Sequence, residues 1–265
     1  SNMTARSDCE PAKKRSKVCG NFDEMGETDA VFQNFRINSS EFMKDLTERE
    51  SCNKCKKTRK YFCYTCHIPL PSISARIPQV TLPVSIDIIK HPKEIDGKST
   101  AVHAAVLAPN DVRIYTYPRV PNYENNGRTF LLFPGKEART FHELISETGG
   151  IITEEGTSSI KVVMIDSTWN QTSTILAHEN IKKLPTIKLQ EYNTLFWRYQ
   201  HGKPQTFLSS IEALYYLCRE YHTFARKDEY NGEYDNLLFF FKFMYDKIHS
   251  IYGTSNLKVH KNYTS

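Results

Sequence analysis

Long apolar runs are missing from this chain. No stretch approaches the ~18 consecutive apolar residues of a membrane-spanning helix, and the longest candidate, Leu237 to Tyr245, is broken by Lys242. An apolar leader is missing as well. Ser1-Asn2 ahead of Met3 reads as a tag-cleavage scar, and the polar residues that follow contain no signal-peptide core. These absences predict a soluble, intracellular protein without membrane contact. There, the 7 cysteines, four of them crowded between Cys52 and Cys66, argue for a metal site and against a disulfide framework. The first forty or so residues lack helical or strand periodicity and are rich in charge, Ser and Asn, so 1–41 is expected to be a disordered tail. Its basic run Lys13-Lys14-Arg15-Ser16-Lys17 reads as a nuclear import signal or an auxiliary RNA contact, with a cytoplasmic location otherwise.

What remains is substantial: 265 residues with 39% hydrophobic content suit one large domain with a small appendage. The appendage is placed at 42–75, opening with a short helix over Phe42 to Arg49. Cys52, Cys55, Cys63 and Cys66 form two C-x2-C pairs around a seven-residue spacer. Each pair offers two thiolates on one knuckle, and together they fill the tetrahedron of a structural zinc. A site closed in this way has no open position for water, so its zinc holds a loop and does no chemistry. That loop carries Lys54, Lys56, Lys57, Arg59 and Lys60 and lacks any acidic residue, which matches the formal excess of +5 in the whole chain. Positive charge interleaved with Tyr61, Phe62 and Tyr64 is the pattern expected for phosphate contact beside aromatic stacking surfaces.

Residues 76–265 read as an α/β domain whose mostly parallel sheet is flanked by helices, because strand-like runs alternate with helical ones. Strands are predicted over Val84–Lys90, Ala101–Leu107, Val112–Tyr117, Arg128–Phe133 and Thr186–Tyr192. Helices are predicted over Lys136–Gly149, Thr172–Lys183, Ile211–Ala225 and Glu233–Tyr252. The centre is Val162 to Ile165, an unbroken apolar run that ends at a carboxylate, as a buried central strand does. Ligands of open α/β sheets bind outside the strands' carboxyl ends, so Asp166, Ser167, Thr168 and Trp169 stand where a site is expected. A turn whose Asp and Ser bond their own backbone is the plainer alternative. Phe133, Pro134 and Gly135 end the neighbouring strand, and the glycine permits close approach of a ligand. Arg198 is a candidate for gripping a carboxylate or phosphate. Ser209, Ser210 and Glu212 form the start of an S-x-x-E capping box in which Glu212 caps. His91 and His103 are expected at a strand end or in the core.

The cysteine cluster CNKCKKTRKYFCYTC, the strand and loop TFLLFPGKEA, the stretch DSTW and the run FLSSIEAL occur in this order. In these features the chain resembles the DTW-domain family of aminocarboxypropyltransferases from about Cys52 to Tyr252. Two departures are small: Ser167 at the first variable position, and Ser209-Ser210 in place of Ser-Thr before the glutamate. The resemblance implies a SPOUT-like knotted fold. It also implies transfer of the 3-amino-3-carboxypropyl group of S-adenosylmethionine to N3 of a uridine, with tRNA, and neither DNA nor a membrane, as partner. Asp166 then becomes the candidate general base. Arg198, Ser209, Ser210 and Glu212 would bind the methionine end, and Phe133 to Gly135 with Asp166 to Trp169 the adenosine. Two alternatives remain: an S-adenosylmethionine-dependent RNA methyltransferase on the same fold, and a non-catalytic zinc-dependent RNA-binding protein.

Overall fold

A computed structural model describes residues 31–124, 127–148, 160–197, 206–226 and 228–252. The chain divides into two units, Ser1–Gln33 and Asn34–Ser265. The second holds the four-cysteine module and the α/β domain together. Most of the expected disordered tail, with its basic run, lies outside the described residues. Its end is ordered: the Arg36 N–H donates to Asp235 Oδ2 at 2.7 Å and the Asn38 N–H to Asn236 Oδ1 at 2.8 Å.

The expected helix over Phe42 to Arg49 is a single 3-10 turn, Glu41–Met43. Two short hairpins follow, β1 (Glu50–Ser51) with β2 (Thr58–Arg59), and β3 (Phe62–Cys63) with β4 (Ile68–Pro69). Strands this short do not hold themselves together. Side chains and the cysteine cluster must do so.

The main sheet has five parallel strands: β5 (Ser85–Lys90), β6 (Val112–Thr116), β7 (Thr129–Leu132), β8 (Lys161–Asp166) and β9 (Thr186–Ile187), in the order β6-β5-β8-β7-β9. Strand β8 is central, as its apolar run implied. Val162, Val163 and Met164 are buried in succession, and since successive side chains leave a strand on opposite faces, both faces of the sheet are covered there. Register sets Ile86 beside Val162 and Leu131 beside Val163. Ile89, Leu131 and Val163 pack in one cluster with Ile175 and Ile181 from the helices α3 (Trp169–Leu176) and α4 (Glu179–Lys182).

Ala101–Leu107, expected as a strand, is the helix α1, with all seven residues buried. A helix apolar on every side shows no amphipathic period, so Val and Ala runs of this length read equally as strand. His103 on it is a core histidine, its ring edge-on to Phe62 at 5.5 Å. The helix expected over 136–149 forms from Phe141 to Thr148 (α2). Thr172–Lys183 is interrupted at His178, whose Nδ1 accepts the Asn180 N–H and caps α4. Of the strand expected over Thr186–Tyr192 only Thr186–Ile187 pairs. Beyond it, backbone donors are taken by carboxylates of the helix α5 (Ser210–Tyr221): Gln190 N–H by Glu220 at 2.7 Å and Leu195 N–H by Glu212 at 2.7 Å. The last helix, α6, is confined to Phe239–Tyr252 behind a 3-10 turn at Asp235–Leu238. No helix among the described residues is long and apolar enough to cross a membrane.

Candidate functional site

The sheet puts Asp166 at the carboxyl end of β8, paired in register with Lys90 at the end of β5, so that the His91 N–H donates to the Asp166 carbonyl at 3.0 Å. The carboxylate is buried and accepts two hydroxyl hydrogen bonds, from Ser99 to Oδ2 at 2.7 Å and from Ser210 to Oδ1 at 2.8 Å. Burial pushes the Asp166 carboxyl above its ordinary range, and the Ser99 and Ser210 hydroxyls and the Lys90 ammonium offset only part of that rise. A carboxylate raised in this way is a better proton acceptor near neutral pH. Ser210 is the first residue of α5, 44 positions away in sequence, so this contact ties the helix start to the strand end.

Past Asp166 the chain turns directly into α3. The Ser167 hydroxyl pairs with Thr172 Oγ1 at 2.8 Å, and the Thr168 N–H donates to Glu94 Oε1 at 2.9 Å and to Gln171 Oε1 at 3.3 Å. The plain turn in which Asp and Ser bond their own backbone does not form: Asp166 faces Ser99 and Ser210, Ser167 pairs with a side chain, and Thr168 opens the helix. Trp169 begins α3.

Next to β8, strand β7 ends in Phe133, Pro134 and Gly135. The Phe133 N–H donates to the Ile187 carbonyl and the Gly135 N–H to the Phe133 carbonyl, both at 2.9 Å. A Cβ built on Gly135 would meet no atom within 4 Å. A side chain or ligand atom would therefore meet no steric block at this glycine. Ser209, by contrast, is committed internally: its N–H and its hydroxyl both donate to Glu212 Oε2, at 2.8 and 2.7 Å. Glu212 is buried and also accepts from Thr194 Oγ1 at 2.8 Å and from the Leu195 N–H. It caps α5 and holds the 194–195 segment in one stroke. The Ile211 N–H is taken by Thr100 Oγ1 at 3.2 Å, so this helix start offers fewer donors to a ligand than its position implied. Arg198 lies outside the described residues.

The four cysteines converge as their spacing required: the sulfurs of Cys52, Cys55, Cys63 and Cys66 lie within 4.8 Å of one another, with Cys52 and Cys63 buried. Burial by itself would raise the Cys63 thiol, but the backbone N–H groups of Cys66 and Thr65 and the thiols of Cys55 and Cys52 bring it down to about 6. Burial and the same thiol neighbours push Cys66 up to about 12. Four thiols this close cannot all ionise without a cation, and the donor set fits a tetrahedral zinc with every position filled by protein. On the loop, Lys54, Lys56 and Lys57 are exposed, and Lys56 holds a left-handed backbone, φ 60°, with its ammonium on the Asn53 carbonyl. Arg59 stacks 3.8 Å from the Tyr64 ring centre and donates to Thr65 Oγ1, and Lys60 lies 5.8 Å from the Tyr61 ring centre.

A family model for the DTW domain matches residues 60–249. The chain belongs to the DTW-domain family. Within that family it is similar to curated proteins called tRNA-uridine aminocarboxypropyltransferase 1. The mouse protein is 40% identical over 84% of this chain and 85% of its own length, and the human protein 41% identical over 82% and 83%. The Xenopus tropicalis protein is 39% identical over 89% of this chain and 93% of its own length. A solved structure, that of the SAM-dependent rRNA:acp-transferase Tsr3 from Vulcanisaeta distributa, aligns with a TM-score of 0.36 and 18% identity, over 68% of this chain and 89% of that one. The DTW domain thus begins inside the cysteine cluster and runs almost to the end of α6.

Among the residues at the site, Ser99, Thr100, Glu94 and Thr194 had no signal in the sequence. They sit in loops and bond partners 18 to 111 positions away, as Thr194 does with Glu212 and Thr100 with Ile211. Nothing local in Gly97-Lys98-Ser99-Thr100 distinguishes it from an ordinary turn.

Proposed function

We propose that this DTW-domain protein transfers the 3-amino-3-carboxypropyl group of S-adenosylmethionine to N3 of a uridine in tRNA. The observation that carries the reading is the buried carboxylate of Asp166, held by Ser99 and Ser210 at the end of the central strand. The names of its relatives support the same reaction and substrate.

S-adenosylmethionine, when bound, supplies an activated methylene: the N3–C bond forms as the C–S bond breaks, sulfur keeps the electron pair in methylthioadenosine, and uridine loses its N3 proton. The turn from Phe133 to Gly135 and the Asp166 to Thr168 turn would hold the adenosine end. Asp166 accepts the N3 proton, helped by a burial that favours its protonated form. Ser99 and Ser210 fix the direction of its two oxygens, so little reorientation is needed in the transition state. Glu212 keeps the 194–195 segment and the start of α5 in place behind the site. A structural zinc in the four-cysteine site and tRNA contact through Lys54, Lys56, Lys57, Arg59 and Lys60 belong to the same reading, supported by the donor set and by the charge of that loop. So does the knotted topology of SPOUT-type folds, supported by a strand order in which β8 is inserted between two strands that precede it. A nuclear location rests on the basic run at Lys13 to Lys17.

The test is the identity of the by-product when the protein is incubated with labelled S-adenosylmethionine and total tRNA. Released methylthioadenosine together with a heavier uridine is the expected result. Released S-adenosylhomocysteine would make the protein a methyltransferase, and no cofactor binding by calorimetry would leave an RNA-binding module.

A further inference from the structure

A cleft lined in part by Ser99 opens between the four-cysteine module and α6. It encloses ≈ 730 Å³, part of it open to solvent. Its walls come from three separated stretches of chain: Arg59 to Tyr64, Gly97 to Thr100, and Phe240 to Met244, with Trp197 at one side. Neither cofactor binding nor metal binding accounts for it.

Three properties define what it would accept. Its lining includes Ser99, whose hydroxyl donates to Asp166 Oδ2 at 2.7 Å, so an occupant lies one side chain away from the candidate base. Flat aromatic surfaces face it from Tyr61, Tyr64 and Trp197. Tyr61 is braced: its ring meets Phe243 edge-on at 5.0 Å and its hydroxyl accepts from Lys247 Nζ at 3.0 Å. Tyr64 is backed by the Arg59 guanidinium, and it lies against Gly97, where an added Cβ would come within 3.4 Å of Tyr64 Cε1. The charge of the lining is of one sign: Arg49, Arg59, Lys60 and Lys98 are present, and no Asp or Glu. Rigid π faces attract a heterocycle, and a lining with an excess of positive charge attracts phosphate. A nucleotide satisfies both demands. An acidic peptide would use the cations and leave the aromatic faces without a partner.

We propose that this cleft receives the acceptor nucleotide, a uridine turned out of the RNA, with its base against Tyr64 and Trp197, its phosphates along Arg59 and Lys60, and its N3 edge directed past Ser99 towards Asp166. The proposal rests on the aminocarboxypropyl-transfer reading. It makes the zinc module one wall of the acceptor site, so that the metal holds Tyr61 and Tyr64 in position as well as presenting charge. Unpaired loop nucleotides are the RNA class that fits, because only an unstacked base offers a free face.

The test uses the full chain, uridine 5′-monophosphate as probe, and the variants Tyr64→Ala, Tyr64→Phe and Trp197→Ala. Saturation-transfer NMR reads binding of the mononucleotide, and initial rates read its inhibition of transfer. Competition with tRNA and not with S-adenosylmethionine is expected. Tyr64→Ala and Trp197→Ala should each raise both the KM for tRNA and the inhibition constant of the mononucleotide by roughly ten-fold, as loss of one stacking face does. Zinc content and cofactor affinity should stay unchanged, and Tyr64→Phe, which keeps the ring, should behave as wild type. A raised KM with an unaltered inhibition constant, or competition with S-adenosylmethionine, would overturn the assignment. If the wild-type protein transfers no group, the functional reading fails by itself. Mononucleotide binding that Tyr64→Ala abolishes would then still assign the cleft to a nucleotide, and binding that Tyr64→Ala leaves intact would refute it.

Discussion

Replacing Asp166 with Asn keeps its shape and removes its charge, and the structure makes the two consequences separable. In the wild type both carboxylate oxygens accept hydroxyls, from Ser99 and Ser210. Hydrogen bonds to a charged group contribute ~1.5–3 kcal/mol each and neutral ones ~0.5–1.5, so weakening this pair costs about 1–3 kcal/mol. Opposing this is the burial of a charge. The carboxyl is held above its ordinary value, which means that burial outweighs the hydroxyl bonds and that the ionised form destabilises the fold. For an acid whose folded pKa is raised, the stability present below the unfolded pKa is lost as pH rises through the folded one. Asp166→Asn should therefore remove that loss: at pH 7–8 its melting temperature should equal or exceed that of the wild type, and the difference should shrink below the ordinary carboxylate range, where the Asp166 carboxyl is itself neutral. Turnover should meanwhile fall by ~10²–10⁴-fold, the usual contribution of a general base, with cofactor affinity little changed. Scanning calorimetry from acid to neutral pH, combined with single-turnover rates, reads both. A variant that melts several degrees lower at neutral pH and still turns over at the wild-type rate would refute the reasoning. Asp166 would then be a tie between β8 and α5 and nothing more.

Removing a ligand by Cys63→Ser should release the zinc, measured by elemental analysis, and weaken tRNA binding while calorimetric affinity for S-adenosylmethionine stays near wild type. Reversing two charges with Lys57→Glu and Arg59→Glu should lower tRNA affinity and flatten its dependence on salt by about one unit of log–log slope for each phosphate no longer neutralised, seen in filter binding across salt concentrations. Glu212→Ala would strand the Ser209, Thr194 and Leu195 donors. At ~1–3 kcal/mol for each buried unsatisfied group, a drop of at least about 5 °C in melting temperature is expected, and Glu212→Gln should recover part of it.

How far the site could be read from the sequence depended on the range of the interactions. The four-cysteine cluster was legible because both halves of the site are C-x2-C pairs within fifteen residues, and spacing alone dictates that the sulfurs meet. Asp166 was legible because an apolar run ending in a carboxylate marks the end of a buried strand. The capping role of Glu212 followed from S-x-x-E. Its second role, holding Thr194 and Leu195, did not, since it depends on where the chain returns after β9.

By itself the sequence determined the elements with a strong local pattern: a parallel sheet built on Val162 to Ile165, the amphipathic helix α5 and the four-sulfur knuckle. Each follows from periodicity or from fixed ligand spacing, which neighbours in the chain suffice to express. Tertiary structure alone decided the rest. Ala101–Leu107 is a helix buried on all sides, which removes the amphipathic period; its alanines and Leu107 favour helix, its valines strand, and packing decides between them. Thr186–Tyr192 stopped pairing after two residues, its Lys188 N–H going to the Arg139 carbonyl and its Gln190 N–H to Glu220, on a helix formed later in the chain. Ser99 and Ser210 met across Asp166 only once β8 had been inserted beside β5 and α5 had folded back over its end. Hydrogen bonds of this kind join residues 44 and 67 positions from the aspartate, and no local pattern encodes them.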